Sequence, residues 1–275
     1  MPIPKKIHYC WLSGDPLPED LQKCLRTWQA KMPDYELVLW DKNKFAVDSV
    51  PYVAEACRVK KWAFAADYIR LHALHAEGGI YLDSDVVVCK SFDNFLNYGF
   101  FSALEYVPNV AEKRATRRLL NADGSLKKEG IYMVPGLGIQ AAIMGAQKGH
   151  PYLRDCLSWY EKQHFILPDG SYNTKLIAPT IYAAMAIKYG FRFVRETQYL
   201  AENMVILAPN ILASNSYKLL SQDTYAVHVC QGSWLTKNPL LSYLRRSNLL
   251  RKILGKMPLL SIDEIIQGDF RQGQQ

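Results

Sequence analysis

The sequence has 275 residues, of which 49% are hydrophobic, 21% charged and 12% aromatic, with a net charge of +7. This is a globular composition, and a chain this long buries roughly 70–75% of its unfolded surface without disulfide staples. One large domain is expected, or one domain with an appended lobe. The cysteines, Cys10, Cys24, Cys57, Cys89, Cys156 and Cys230, are scattered with no CxxC or other zinc spacing, which reads as reduced thiols in a cytoplasmic protein. Residues 1–6 lead into no apolar signal core, so secretion by that route is not expected. The longest uncharged run, 131–147, is interrupted by Pro135 and several glycines and makes no membrane span. Lys113, Arg114, Arg117, Arg118, Lys127 and Lys128 form one basic segment. Lys237, Arg245, Arg246, Arg251, Lys252 and Lys256 form another that has no acid. Such patches suit an anionic membrane surface or an anionic glycan, or else are solvated helix faces. No nucleic-acid motif accompanies the charge, so no nucleic-acid partner is expected.

In chain order, residues 6–12 read as a strand closed by the turn Ser13-Gly14-Asp15-Pro16. Trp11, at the end of that strand, suits either core packing or stacking on a base. Residues 18–31 read as a helix with Pro18 near its start, 35–40 as a strand and 51–58 as a helix. The order β-α-β-α favours an α/β sheet with parallel strands. Residues 61–76 form a helix that is apolar nearly all round and therefore buried. Asp67 and Arg70 share one face of it, and either serve one another or look toward a site. His72 and His75, also three apart, suit metal ligation in principle but read rather as core or surface histidines.

The stretch that follows, Gly78-Gly79-Ile80-Tyr81-Leu82-Asp83-Ser84-Asp85-Val86, reads as a glycine turn and a buried strand carrying two carboxylates in its middle. Ionised aspartates there are costly without a cation or hydrogen bonds. Two hard oxygen ligands on one strand face suit Mg²⁺ or Mn²⁺, which take further oxygens from phosphates. Further strands are expected at 100–105, 131–134, 205–208 and 225–229, with a helix or turn at 136–142 and helices at 151–164, 175–188 and 239–254. The last mixes leucines with arginines, as membrane-surface helices do. Neither GxGxxG nor GxxxxGK[ST] is present.

Several segments together resemble the family-32 glycosyltransferases, the group with a sugar-binding region containing a DXD motif, which includes outer-chain mannosyltransferases and capsular polysaccharide enzymes. They are Ile7-His8-Tyr9-Cys10-Trp11 with Gly14, Thr27-Trp28 followed by Pro33-Asp34-Tyr35-Glu36, Ala65-Ala66-Asp67-Tyr68-Ile69-Arg70, and Gly78 to Asp85. Gly149-His150-Pro151 is a weaker match, and His228 with Ser233-Trp234 resembles the closing motif. The likeness is dense over 3–90, thin over 106–224, and returns at 225–234. Where the family often has Gly-Pro, this chain has Ala178-Pro179-Thr180.

The resemblance implies an α/β, GT-A type, Rossmann-like nucleotide-sugar-binding fold with a mixed central sheet and extra C-terminal helices. The catalytic domain would span 1–235, and 236–275 would be a basic helical extension on it or on the membrane surface. The implied activity is retaining transfer of a hexosyl group from a nucleotide-sugar, UDP-linked by preference with GDP-mannose as the other candidate. The acceptor would be a saccharide or lipid-linked glycan, in bacterial capsular or surface polysaccharide synthesis at the inner face of the membrane. Mn²⁺ or Mg²⁺ is the implied cofactor, on Asp83, Asp85 and His228. His8, Trp11, Asp67, Arg70, Gly79, Asp83, Ser84, Ser233 and Trp234 are the implied nucleotide-sugar contacts, with Asp67, Arg70, Asp83 and Asp85 catalytic. Two other readings compete. Ile80 to Val86 also fits the hhhDxDx[TV] pattern of haloacid-dehalogenase-type phosphatases, although those enzymes normally place this strand near the start of the chain and here it begins at residue 80. A non-catalytic glycan-binding protein would keep the same residues.

Overall fold

The computed structural model describes residues 1–128, 130, 133–215, 219–230 and 259–268. The first third of the chain is built of β-α-β units. Strands β1 (Lys6–Cys10), β2 (Glu36–Trp40) and β3 (Gly79–Leu82) are joined through helices α1 (Glu19–Lys31), α2 (Pro51–Arg58) and α3 (Trp62–Glu77). β1 lies between β2 and β3 and is parallel to both, with His8 opposite Val38 on one side and Tyr81 on the other. The sheet continues through β7 (Ile143–Ala146), β5 (Phe100–Tyr106), β9 (Met204–Leu207) and β8 (Gln198–Leu200), with β6 (Leu137–Ile139) on β5. Antiparallel pairing of β7 with β3 and β5 makes it a mixed sheet. A separate sheet of β10 (Leu212–Ser214), β11 (Ala226–His228) and β4 (Val86–Val88) stands beside it.

Alternation along the strands divides the core between the two faces of the main sheet. Ile80, Leu82, Phe101, Ala103 and Val205 pack with Trp28 of α1 on one side. Tyr81, Phe100, Leu104, Met144 and Met204 pack on the other, with α3 and with α6 (Pro151–Tyr160) and α7 (Ala178–Ala186). The expected α/β architecture with a mixed central sheet is what is observed.

Two sequence expectations change. Asp83 and Asp85 do not lie in mid-strand. The strand stops at Leu82, turns through Asp83-Ser84-Asp85 with the Val86 amide donating to the Asp83 carbonyl at 3.0 Å, and resumes as β4 in the other sheet. Residues 136–142 are neither helix nor simple turn but contain β6, followed by β7. Their glycines serve close packing, since a Cβ on Gly145 would come within 2.1 Å of the Phe101 ring and one on Gly138 within 2.8 Å of the Pro179 carbonyl. The basic excursion after β5 contains two single-turn helices, α4 (Pro108–Ala111) and α5 (Arg114–Arg117). A last short helix, α8 (Ile262–Ile266), carries a Ser261/Glu264 capping box that was not anticipated. Residues 131 and 132 of the expected 131–134 strand, the whole 239–254 helix, the domain boundary after residue 235, Ser233 and Trp234 lie outside the described residues. Among the described residues no helix is long and apolar enough to cross a membrane.

Candidate active site

β3 ends where it delivers Asp83, at the carboxyl edge of the parallel strands, which is where open α/β sheets place their ligands. The turn that follows is held from three sides. On one edge of β4, the Trp28 indole N–H donates to the Val86 carbonyl at 2.8 Å and the Val88 amide donates to the Thr27 hydroxyl at 3.0 Å. On the other edge β11 pairs antiparallel, placing His228 opposite Val86. The Val229 amide donates to the Asp85 carbonyl at 3.0 Å. From behind, α3 presents Arg70.

The result is a compact cluster of charge. His228 Nε2 stands 3.3 Å from Asp85 Oδ1. Asp83, Asp85 and His228 each offer a ligand atom, all within 4.8 Å of one another, and they form the one trio of this kind among the described residues. Two carboxylates and an imidazole are a donor set for Mn²⁺ or Mg²⁺, and the turn holds them close enough to share one ion. Burial works against a proton on His228, but Cys230 and Asp85 favour one more strongly, so its pKa lies well above the ordinary imidazole value. A cation taking this site therefore displaces that proton.

Arg70 Nη2 lies 3.2 Å from Asp67 Oδ1 and 3.3 Å from Asp83 Oδ1, and Nη1 donates to the Ala141 carbonyl at 2.8 Å. Both alternatives for this helix face hold at once: Asp67 and Arg70 pair with one another and also look toward Asp83. Burial works against the charge on Arg70, and Asp83, Tyr81 and Asp67 more than offset it, so the guanidinium stays protonated. Burial raises the Asp67 carboxyl to about 7, with Arg70 pulling it down and Asp83 pushing it up. Asp67 is further tied to α7 through its carbonyl, which accepts from the Tyr182 hydroxyl at 3.0 Å. Thus the Ala178-Pro179-Thr180 segment begins a helix that braces α3.

The other expected contacts divide. Trp11 follows β1 at the same edge as Asp83, partly exposed, its indole N–H donating to the Asp15 carbonyl at 2.6 Å. Ser84 sits between the two aspartates in the turn. His8 and Gly79 pack against one another. His8 is fully buried, with Nδ1 accepting from the Trp40 indole N–H at 3.0 Å and Nε2–H therefore donating to the Gly78 carbonyl at 2.8 Å. Both ring nitrogens are thus occupied by protein partners, and His8 holds the glycine turn. Gly79 has φ +117°, and a Cβ there would lie 2.9 Å from His8 Nε2. Its identity answers to that packing. His72 lies among the rings of Trp40, Phe45 and Tyr68, as a core histidine does.

Three further residues stand at the site without a role assigned from the sequence. The Tyr81 hydroxyl donates to Asp83 Oδ1 at 2.9 Å, and the Arg70 guanidinium lies 4.9 Å from its ring centre. Burial pushes the Cys10 thiol up to about 12, so it faces this cluster as a neutral group. Glu105, near the end of β5, is raised by burial, with His228 and a hydrogen bond with Ser214 pulling it down. Period-two alternation in β3 could have flagged Tyr81. Nothing local could have flagged Glu105, which meets His228 only through pairing of distant strands.

Residues 18–101 match the family described as glycosyltransferase sugar-binding region containing DXD motif. The match runs from α1 to the start of β5 and includes the sequence motifs around Asp67, Arg70, Asp83 and Asp85. An initiation-specific alpha-1,6-mannosyltransferase of Candida albicans is 35% identical over 170 residues, covering 57% of this chain and 42% of that protein. An uncharacterized glycosyltransferase of Acanthamoeba polyphaga mimivirus is 32% identical over 117 residues, covering 39% of this chain and 45% of that protein. The chain spans less than half the length of these curated relatives. Among solved structures, the PaToxG glycosyltransferase aligns with a TM-score of 0.47 at 17% identity, over 99% of this chain and 87% of that one. The galactosyltransferase LgtC in complex with donor and acceptor sugar analogs aligns with a TM-score of 0.45 at 12% identity, over 94% of this chain and 99% of that one.

Proposed function

We propose that this protein is a metal-dependent, retaining glycosyltransferase of GT-A type that moves a hexosyl group from a nucleotide-sugar to a saccharide or lipid-linked glycan acceptor. The observation that carries the reading is the convergence of Asp83 and Asp85, inside the DXD region, with His228 of β11 at the turn between the two sheets. When bound there, Mn²⁺ or Mg²⁺ would supply electrostatic stabilisation for the charge that develops on a departing nucleoside diphosphate. Asp85 and His228 are the protein ligands of this reading, and Asp83 is shared between the ion and the ribose or sugar. Arg70 and Tyr81 fix the Asp83 carboxylate, so the donor meets a preset group. Asp67 and Arg70 orient the donor sugar, Trp11 stacks on the base, and Ser233 and Trp234 contact the diphosphate.

In this mechanism the acceptor hydroxyl attacks the anomeric carbon from the face the diphosphate leaves. The bond from that carbon to the phosphate oxygen breaks, the bond to the acceptor oxygen forms, and the hydroxyl proton passes to the leaving phosphate oxygen. The relatives named as mannosyltransferase and glycosyltransferase support the reaction class. A UDP-sugar is the favoured donor. A role in bacterial capsular or surface polysaccharide synthesis, at the inner face of the membrane, belongs to the same proposal, with the exposed basic segment around α5 facing the anionic surface or acceptor. The phosphatase reading needs Asp83 as a free nucleophile, whereas its Oδ1 accepts from the Tyr81 hydroxyl at 2.9 Å and lies 3.3 Å from the Arg70 guanidinium.

A panel of nucleotide-sugars with Mn²⁺, scored for release of nucleoside diphosphate, tests the proposal. One donor should turn over and Asp85→Asn should abolish the signal. Full activity in that variant, or phosphate release from a simple aryl phosphate, would overturn it.

A further inference from the structure

A second cleft, of about 740 Å³, opens at the end of β4 opposite to Asp85, between α1, residues 88–90 and α8. Its walls are apolar at Val88, Ala30 and Ile265, and Ile266 stands at its mouth 48% exposed. Its charge comes from Lys23, Arg26 and Lys31 of α1 and from Lys90. Of these only Lys23 is balanced, by Asp263 of α8 at 3.0 Å. Arg26, Lys31 and Lys90 meet no carboxylate among the described residues. Lys90 is nonetheless held in place, its ammonium donating to the Gln222 carbonyl and lying 5.1 Å from the Tyr225 ring centre.

Three cations from two separate elements, without a carboxylate partner among the described residues, give this apolar-walled cleft a positive field that an anion would offset. One carboxylate would be met by one of them, whereas a phosphate carries more charge and accepts hydrogen bonds from several directions. The volume exceeds that of inorganic phosphate and falls within the range of small-molecule sites. The apolar walls suit an organic group attached to it. We propose that this cleft binds a phosphate ester bearing an apolar or uncharged organic portion, either soluble or as the headgroup of an acidic phospholipid. The cleft is separate from the Asp83-Asp85-His228 cluster, and the inference does not depend on transferase activity.

The test titrates the full chain with glycerol 3-phosphate by calorimetry and floats it with phosphatidylcholine vesicles with and without phosphatidylglycerol. Binding to one of the probes should weaken roughly tenfold or more in the double variant Arg26→Glu, Lys31→Glu, while Asp85→Asn binds as the unmodified chain does. Both substituted cations are exposed, and an unchanged melting temperature confirms that the variant folds. Binding of glycerol 3-phosphate identifies a soluble ligand, and binding only to vesicles with phosphatidylglycerol identifies a lipid headgroup. Failure to bind either probe, equal binding by the double variant, or loss of binding in Asp85→Asn would overturn the proposal.

Discussion

The indole N–H of Trp28 on α1 donates to the carbonyl oxygen of Val86, the residue directly after Asp85, at 2.8 Å. With Thr27 accepting from the Val88 amide, α1 takes the place of a neighbouring strand along one edge of β4. The turn carrying both aspartates is therefore clamped between a helix and β11, and the Thr27-Trp28 pair in the sequence acquires a physical reason.

Trp28→Phe keeps the ring in the core and removes the donor. The buried Val86 carbonyl is then left unsatisfied, at a cost of about 1–3 kcal/mol. Urea unfolding should show this loss. Mn²⁺ affinity should also fall, because the turn between Asp83 and Asp85 loses one of its supports.

Arg70→Lys preserves the charge but not the fork that reaches Asp67, Asp83 and the Ala141 carbonyl together. Breaking such a buried arrangement costs on the order of 3–5 kcal/mol. The variant should unfold at lower denaturant, and any folded fraction should turn over donor more slowly because Asp83 is no longer fixed. A variant with wild-type stability would show that the guanidinium geometry is not needed.

Gly79→Ala should be poorly tolerated. The residue has φ +117°, and its Cβ would meet His8 Nε2 and the Lys6 carbonyl, each at 2.9 Å. Backbone strain alone costs about 1–3 kcal/mol. A melting temperature equal to that of the parent would contradict the role assigned to His8.

Glu55 supplies a pH test of the fold away from the site. Its carboxylate accepts from the amides of Phe165 at 2.7 Å and Ile166 at 2.9 Å and lies 2.7 Å from His164 Nδ1. Burial pushes its pKa up, but Ile166, His164 and Phe165 together bring it below the ordinary value. A carboxylate depressed in the folded state stabilises above its unfolded pKa, about 4.3, and loses that contribution as pH falls through the folded value. Glu55→Gln should therefore be less stable than the parent at pH 7, by about 1–3 kcal/mol. The difference should narrow as the pH is lowered through about 4.3 and below. A gap that is constant with pH would mean the charge is not what matters.

Chelation is the remaining test. Removing divalent cations should abolish donor turnover and leave the core intact, since the trio joins two sheets already held by backbone pairing. Far-ultraviolet circular dichroism should not change. Mn²⁺ added back should restore turnover in the parent and not in His228→Ala.

Much of this was legible in the residues themselves. The alternating apolar pattern placed β1, β2, β5 and α1 to α3 close to where they are, because local periodicity and burial agree there. Asp83 and Asp85 stood out because carboxylates next to a buried apolar run demand a partner, and the motifs around them placed His228 with them although it is far away in the chain. Tertiary structure decided the rest. A two-residue spacing is compatible with a strand or a turn, and only the transfer of β4 into the second sheet made it a turn. His8 belongs to the motif, and only the packing shows that Trp40 and Gly78 occupy both of its nitrogens. Tyr81, Glu105 and the basic cleft of α1 depend on which strands and helices become neighbours. That is a property of long-range pairing and close packing, which no local pattern of charge or hydrophobicity encodes.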